Sequence, residues 1–188
     1  MKEWITGRNA VYEILTLRSR EFFRFYVSRK AEIKGKLAEI IDLAHRRKIP
    51  PMFVDRGVLD RIDENHQGLA LEVSGFHYSD WDDIEAKASA SGDPLFVLFL
   101  DMIQNPQNLG TLIRTAAVAG MHGIVIPTAR SSGVTPAVVH ASVGATEHIP
   151  VVQMNLAQAI RAMREAGGWV VGLEGGEGAV DVAPKRLG

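Results

Sequence analysis

The apolar residues of the first 75 positions switch between the spacing of strands and the spacing of helices. Compact runs of aromatic and branched residues are typical of β-strands, and three are present: 22–27, 52–54 and 69–73. Apolar residues three and four positions apart predict a short helix after Gly7, over 11–17, and a longer one over 33–44. Together these elements predict a small α/β unit.

From residue 95 the pattern becomes a regular alternation of strand and helix. The continuous apolar run 95–100 predicts a strand that is buried on both faces. Further strands are predicted over 123–126, 149–152 and 169–171, and helices over 109–119, over 136–143 and after Asn155. This alternation predicts an α/β domain with a parallel sheet and helices on both sides.

The segment 75–94 differs in composition from its neighbours. It is rich in serine, glycine, aspartate and alanine, which is typical of a connection between units. We therefore predict a linker there, with a short helix around 84–88. The predicted organisation is a first domain over 1–74, the linker, and a second domain over 95–188.

Composition excludes several classes of protein. No apolar run approaches the roughly 20 residues that a bilayer span requires, so no membrane partner is expected. The chain has no cysteine, which excludes disulfides and thiolate chemistry, and a reducing cytoplasm is the default location. The net charge is −1, but residues 17–48 hold ten Lys and Arg against four acidic residues. That basic stretch can attract a polyanion, although a solvated helix surface explains it equally well.

The strongest chemical signal follows the first strand of the second half, over 101–114. In parallel α/β sheets, ligands bind beyond the carboxyl ends of the strands. A helix cap accounts for Asn105 or Asn108 but not for both. Gly110 permits close backbone approach, and the guanidinium of Arg114, one turn later, can hold a phosphate bidentately. An anion site is therefore one interpretation of this loop.

Other common site motifs are absent from the sequence. There is no Gly-x-Gly-x-x-Gly loop, no phosphate-loop lysine and no Gly-x-Ser-x-Gly elbow. The six histidines form no metal-binding pair, so no metal is expected. The glycine-rich stretch 172–178 carries two carboxylates that would repel a phosphate, and we interpret it as a turn.

Four segments of the sequence resemble motifs of one enzyme family. Residues 105–116 and 141–151 resemble the first signature and the "S-x-G-A-x-E-x-x-P" element of the SpoU (TrmH-type) RNA 2′-O-ribose methyltransferases. Residues 7–13 and 65–73 resemble the L30e-like substrate-binding domain that precedes many members. The combination and its order are similar to the 23S rRNA guanosine-2′-O-methyltransferase type.

The resemblance implies a fold, a cofactor and partners. An L30e-like RNA-binding domain over 1–74 would be followed, after the linker, by an α/β-knot (SPOUT) methyltransferase domain over 95–188. The implied cofactor is S-adenosylmethionine, and the implied partners are rRNA, or tRNA as the alternative, and a second copy of the chain.

The resemblance also implies site residues. Asn108, Arg114 and Glu147 match the catalytic positions of the family motifs. Because a guanidinium group keeps its positive charge and is a poor base, we expect Arg114 to bind the target phosphate and stabilise charge on the 2′-oxygen. Glu147 either orients Arg114 as an ion pair or is a structural acid. The expected RNA contacts on the first domain are Arg8, Asn9, Arg46, Arg47, Lys48 and Gln67, although the helix dipole also explains cations at 45–48.

The sequence departs from the family pattern at its C-terminal end. Two further family motifs, which form most of the cofactor pocket, have no match before Gly188. We therefore expect an incomplete α/β-knot domain, cofactor-binding residues beyond 188 and weak cofactor binding by residues 1–188. Two alternatives remain: a non-catalytic RNA-binding protein, and a small-molecule enzyme that uses the loop 101–114 for a phosphate.

Overall fold

The computed structural model describes residues 1–173, and its first half is built on a four-stranded sheet. Two antiparallel pairs, β1 with β4 and β2 with β4, and one parallel pair, β2 with β3, give the strand order β1-β4-β2-β3. The elements are β1 (Lys2–Thr6), α1 (Arg8–Leu17), β2 (Phe22–Ser28), α2 (Lys36–Arg46), β3 (Met52–Val54), α3 (Arg56–Asp60) and β4 (Leu69–Ser74).

The second half is built on a three-stranded parallel sheet of order β5-β6-β7. Its elements are α4 (Trp81–Ser91), β5 (Val97–Phe99), α5 (Pro106–Val118), β6 (Gly123–Ile126), α6 (Pro136–Ala141), a 3-10 helix (Ala145–Glu147), β7 (Val151–Gln153) and α7 (Leu156–Glu165). The predicted α/β class and parallel sheet are confirmed. The L30e-like character of the first half stays a prediction, as do the domain boundaries.

Two elements of the first half, β1 and α3, were not expected. The strand β1 has too little apolar alternation to be recognised, because only Ile5 and Thr6 are buried. It forms because all five of its residues pair with β4. The five-residue helix α3 buries Leu59 alone, so it has no helical periodicity to detect.

One strand prediction for the second half was wrong, and another was right in place but wrong in length and in burial on both faces. The run 95–100 forms only the three-residue β5, and Phe96 is 49% exposed, because within residues 1–173 this strand pairs with β6 alone. Residues 169–171 form no strand, and Trp169 is 92% exposed. Three residues of high β-propensity do not make a strand without a neighbour to pair with. Most of the predicted turn 172–178 lies outside the described residues.

The segment 75–94 is more ordered than a linker. The helix α4 is eleven residues long, and its N-cap Asp80 donates its backbone N–H to Asp83 at 2.9 Å. Ile84 on this helix is fully buried, and Ser79 bridges to Val152 of β7 in parallel fashion. This segment therefore packs as part of the second sheet's surroundings.

The apolar core runs without interruption from one half of the chain to the other. Ile14 of α1 and Val139 of α6 belong to the same cluster of fully buried side chains. Gly144 lies so close to α1 that a Cβ there would be 2.9 Å from the Cβ of Glu13. The two sheets are therefore held by direct packing between their helices.

An acidic side chain in the first sheet gives a testable pH dependence. Arg24 donates to both carboxylate oxygens of Glu72 and thereby holds the pKa of Glu72 below its ordinary value. A lowered pKa adds stability above the ordinary value, and that stability is lost as the pH falls through the lowered value. We expect Glu72→Gln to destabilise the protein by about 1 kcal/mol at pH 7 and by less at pH 3.

Urea unfolding at the two pH values measures this effect. The control is Glu165→Gln on the exposed surface of α7, which should leave the midpoint unchanged at both. An equal loss of stability for Glu72→Gln at pH 7 and pH 3 would contradict the assignment.

Candidate functional site

The loop after β5 enters α5 through an asparagine cap. The side chain of Asn105 accepts hydrogen bonds from the backbone N–H of Gln107 at 2.8 Å and of Asn108 at 3.4 Å, and Pro106 occupies the first helical position. Asn105 is thus the cap, and the side chain of Asn108 is exposed with no hydrogen-bond partner among residues 1–173. As expected, only one of the two asparagines, Asn105, caps the helix.

A close contact between two helices fixes the start of α5. A Cβ on Gly110 would lie 2.5 Å from the Cβ of Ala141 and 2.9 Å from the carbonyl oxygen of Val138. The predicted role of Gly110 in close backbone approach is therefore confirmed. The absence of a side chain at Gly110 lets α5 pack directly against α6. Helix α6 begins after Thr135, with Pro136 at its first position.

Arg114 lies farther from the loop than the sequence suggested. The helix begins at Pro106 and not at 109, so Arg114 is in the third turn, about 12 Å along the axis. Six residues separate it from Asn108, which is a rise of about 9 Å and a rotation of about 120°. Both side chains are exposed, but they lie on different faces of α5.

Glu147 pairs with a different arginine from the one expected. Its carboxylate accepts from Arg20 Nη2 at 2.7 Å and from Ser19 Oγ at 2.5 Å, and both charged side chains are 2% exposed. Arg20 also reaches Glu3 at 3.2 Å. The proposed ion pair between Glu147 and Arg114 is therefore wrong, and the alternative of a structural acid fits the contacts.

Two of the predicted RNA contacts lie together on the first half of the molecule. The backbone N–H of Arg8 donates to Gln67 Oε1 at 2.9 Å, and Arg8 Nε donates to the Gln67 carbonyl at 3.2 Å. They line an open groove of about 860 Å³ together with Lys30, Arg56 and His140. Sequence reasoning missed these last three, because nothing in the chain order links them.

The groove has one acidic member and one histidine of fixed tautomer. Glu64 lines it beside the three cations, and Arg56 is also paired with Asp60 at 3.5 Å, so the positive charge of the groove comes mainly from Arg8 and Lys30. His66 accepts from the Gly68 N–H through Nδ1 at 2.8 Å, so its Nε2 carries the proton that is shared with Asp60. His66 is therefore a structural residue of the groove wall.

The other predicted RNA contacts are separate from this groove. Asn9 is exposed in the first turn of α1, and Arg46 and Lys48 are exposed at the end of α2. Arg47 donates to the carbonyls of Leu15 at 2.9 Å and Thr16 at 2.8 Å. Its guanidinium is committed to the C-terminal carbonyls of α1, so the prediction that Arg47 is an RNA contact gives way to a structural role.

Residues 1–173 contain neither a membrane-spanning helix nor a cluster of metal-ligating side chains. No helix there has the length and apolar character that crossing a bilayer requires. Residues 1–173 bring together no group of three or more side chains able to hold a metal ion.

The fold and the candidate site together define the class of protein. It is an α/β protein in which a parallel-sheet unit, with polar loops at its carboxyl edge, packs against a smaller unit that carries a basic groove. The model of the SpoU rRNA Methylase family matches residues 95–185, and that of the RNA 2′-O ribose methyltransferase substrate-binding domain matches residues 4–79.

Relatives and solved structures agree with these matches. A Bacillus subtilis protein assigned to the TrmH family of tRNA/rRNA methyltransferases is 39% identical over 92% of this chain and 69% of its own. The SpoU methyltransferase AviRb from Streptomyces viridochromogenes, in complex with AdoMet, has a TM-score of 0.67 at 18% identity, over 88% of this chain and 60% of that one. An AdoMet-bound rRNA methyltransferase from Sinorhizobium meliloti has a TM-score of 0.66 at 22% identity, over 88% and 59%.

The protein belongs to the SpoU family of RNA methyltransferases. The resemblance to the SpoU family that the sequence motifs indicate is thereby confirmed, whereas the 23S rRNA guanosine type stays a prediction. The chain spans about three fifths of the length of the solved structures that share its fold.

Proposed function

We propose that the protein transfers a methyl group from S-adenosylmethionine to a ribose 2′-hydroxyl of RNA, and that its target is a guanosine of 23S rRNA. The observation that carries the proposal is the succession of a substrate-binding unit and a methylase unit in one chain, packed on one core. The tRNA/rRNA methyltransferase assignment of the Bacillus subtilis relative supports RNA as the substrate. A tRNA target is the alternative within the same activity.

The cofactor fits the carboxyl edge of the parallel sheet only in part. The loops 101–105 and 127–134 follow β5 and β6 there, which is where such sheets bind ligands. Two serine hydroxyls of the second loop are already engaged, since Ser131 and Ser132 donate to carbonyls of these same loops. In this proposal the two loops would supply one side of a cofactor site. When bound, S-adenosylmethionine supplies the electrophilic methyl group.

Arg114 is the residue that we propose for transition-state stabilisation. Its side chain is an exposed cation on α5, and guanidinium stays charged at all physiological pH values. It would hold the phosphate next to the target ribose and stabilise negative charge that develops on the 2′-oxygen. Asn108 lies in the first turn of the same helix, nearer to the loop, and would contact the RNA at a second point.

The groove beside Arg8 is the proposed RNA-binding surface of the first unit. Arg8, Lys30 and Arg56 offer three cations there, and Gln67 offers an amide that can bind a base or a phosphate. Asn9, Arg46 and Lys48 would extend the contact along α1 and α2. We also propose that the protein acts in the cytoplasm, as a homodimer and without a metal ion.

Methyl transfer from labelled S-adenosylmethionine to rRNA tests the function. A 2′-O-methyl group blocks alkaline cleavage at the modified nucleotide, so the label should appear in an alkali-resistant dinucleotide. We expect Arg114→Ala to reduce the rate about 100- to 1,000-fold, since it removes a charge-stabilising donor. Arg161→Ala, an exposed arginine of α7, is the control and should retain activity.

A second candidate is a non-catalytic RNA-binding protein. It is favoured by the burial of Glu147 in an ion pair with Arg20, and by the positions of Asn108 and Arg114 on different faces of α5. The same assay decides between them. Salt-dependent RNA binding without label transfer would establish the binding protein, and an Arg114→Ala rate within twofold of the unchanged protein would remove Arg114 from the mechanism.

A further inference from the structure

The two faces of the first sheet differ in chemistry. Side chains alternate along a strand, so the residues next to the buried Ile5, Phe25 and Leu71 lie on the opposite face. That opposite face carries aromatic and basic groups around Glu72 and Ala70 of the central strand β4. We call the set the aromatic platform, and its members are Lys2, Trp4, Phe23, Arg24 and Tyr26.

The rings and cations of the aromatic platform are stacked on one another. The ring centroids of Trp4 and Tyr26 are 4.8 Å apart with 35° between their planes. The guanidinium carbon of Arg24 lies 5.2 Å from the Trp4 centroid and 5.9 Å from that of Tyr26. Lys2 Nζ lies 4.0 Å from the Phe23 centroid. These are cation–π contacts, which hold the cations at the surface.

A buried carboxylate fixes the plane of Arg24. Arg24 Nε and Nη2 donate to the two oxygens of Glu72 at 2.7 and 2.8 Å. The Glu72 side chain is only 6% exposed, whereas that of Arg24 is 50% exposed. The fork of donors is therefore occupied while half of the side-chain surface stays in solvent, which leaves a preorganised planar cation.

An irregularity of β2 adds a third ring to the same face. The pairing register of β2 with β4 shifts between Phe22 and Arg24, which makes Phe23 the extra residue of a β-bulge. Bulges re-aim side chains, and the contact with Lys2 of β1 places the Phe23 ring beside Arg24 and not on the core side.

We propose that the aromatic platform binds unpaired bases of single-stranded RNA by stacking on its rings and on the plane of Arg24, with Lys2 meeting a phosphate. The inference rests on the proposed function and names the feature of the RNA that the first unit recognises. Flat rings and guanidinium planes stack bases without regard to sequence, and the adjoining cations complement a polyanion.

Binding of a labelled ten-nucleotide single strand, followed by fluorescence anisotropy, tests the proposal. Phe23→Leu removes an aromatic ring and Arg24→Lys removes a planar guanidinium group, and neither exchange changes the net charge. We expect each to weaken binding about 5- to 100-fold, with the salt dependence of log K unchanged. The control is Phe53→Leu, since Phe53 is 41% exposed but pairs with Val27 and so lies on the other face. A double-stranded RNA of equal length should bind Phe23→Leu and the unchanged protein alike.

Three results would overturn the proposal. One is equal single-strand affinity for Phe23→Leu, Phe53→Leu and the unchanged protein. Another is equal weakening of single- and double-stranded probes, which would indicate phosphate contact alone. The third is a dimer in sedimentation that Phe23→Leu dissociates, which would make this face an interface between copies. If the protein transfers label to rRNA but Phe23→Leu binds the single strand normally, only this inference is refuted. If Phe23→Leu weakens single-strand binding but no label is transferred, only the proposed function is refuted.

Discussion

Replacing Arg20 with methionine should lower the free energy of unfolding by about 3–5 kcal/mol. The change would leave the carboxylate of Glu147, which is 2% exposed, buried without its cation. It would also remove the contact with Glu3 at 3.2 Å. A buried charge that loses its partner keeps its full desolvation cost, which is why the effect is larger than that of a surface ion pair.

A second substitution separates charge from packing in this prediction. Arg20→Met combined with Glu147→Gln should recover more than half of the loss, because the more deeply buried of the two carboxylates is then neutral and only Glu3, which is 18% exposed, stays without its cation. Arg29→Met is the control: its ion pair with Asp55 spans 3.8 Å and is mostly exposed, so its loss should cost less than about 0.5 kcal/mol. Urea midpoints by circular dichroism measure all three. A single-variant loss under 1 kcal/mol would show that the pair is not buried.

Replacing Gly110 with alanine should destabilise the protein by about 2–3 kcal/mol. An exchange of glycine for alanine inside a helix normally stabilises it by up to about 1 kcal/mol, so the expected sign is reversed. The reason is that the new methyl group would lie 2.9 Å from the backbone of both Val138 and Ser142, which cannot move as a flexible side chain can.

The matched control is Gly57→Ala in α3. No atom lies within 4 Å of a Cβ at Gly57, so this exchange should leave the midpoint unchanged or raise it. Thermal and urea unfolding of both variants measures the contrast. Gly110→Ala as stable as Gly57→Ala would mean that α5 and α6 do not meet as closely as the structure has them.

Features that depend on local sequence were predictable. The alternation of apolar runs with helical spacing is enough to give the parallel sheet, since each strand and helix carries its own periodicity. The cap Asn155 was also predictable, and the cap of α5 was narrowed to Asn105 or Asn108, because a cap bonds to N–H groups two and three residues ahead: Asn155 accepts from Ala157 at 2.9 Å. The role of Gly110 follows from the same logic of close approach.

Features that depend on distant residues were not predictable. Arg20 and Glu147 are 127 positions apart, and no periodicity links them, so the sequence alone could suggest Arg114 as the partner. The groove has the same property, because His140 joins Arg8 only after α6 packs beside the first sheet. The exposed run at Trp169 shows the converse: a high local propensity for strand does not replace a pairing partner.

The continuous core between the two sheets has a consequence for how a long RNA would be handled. A substrate-binding unit on a flexible linker could hold RNA at many distances from α5. A unit that shares a core with its neighbour through Ile14 and Val139 holds the RNA at one fixed distance from α5. The nucleotide presented to α5 would be set by its distance from the anchored stretch of RNA.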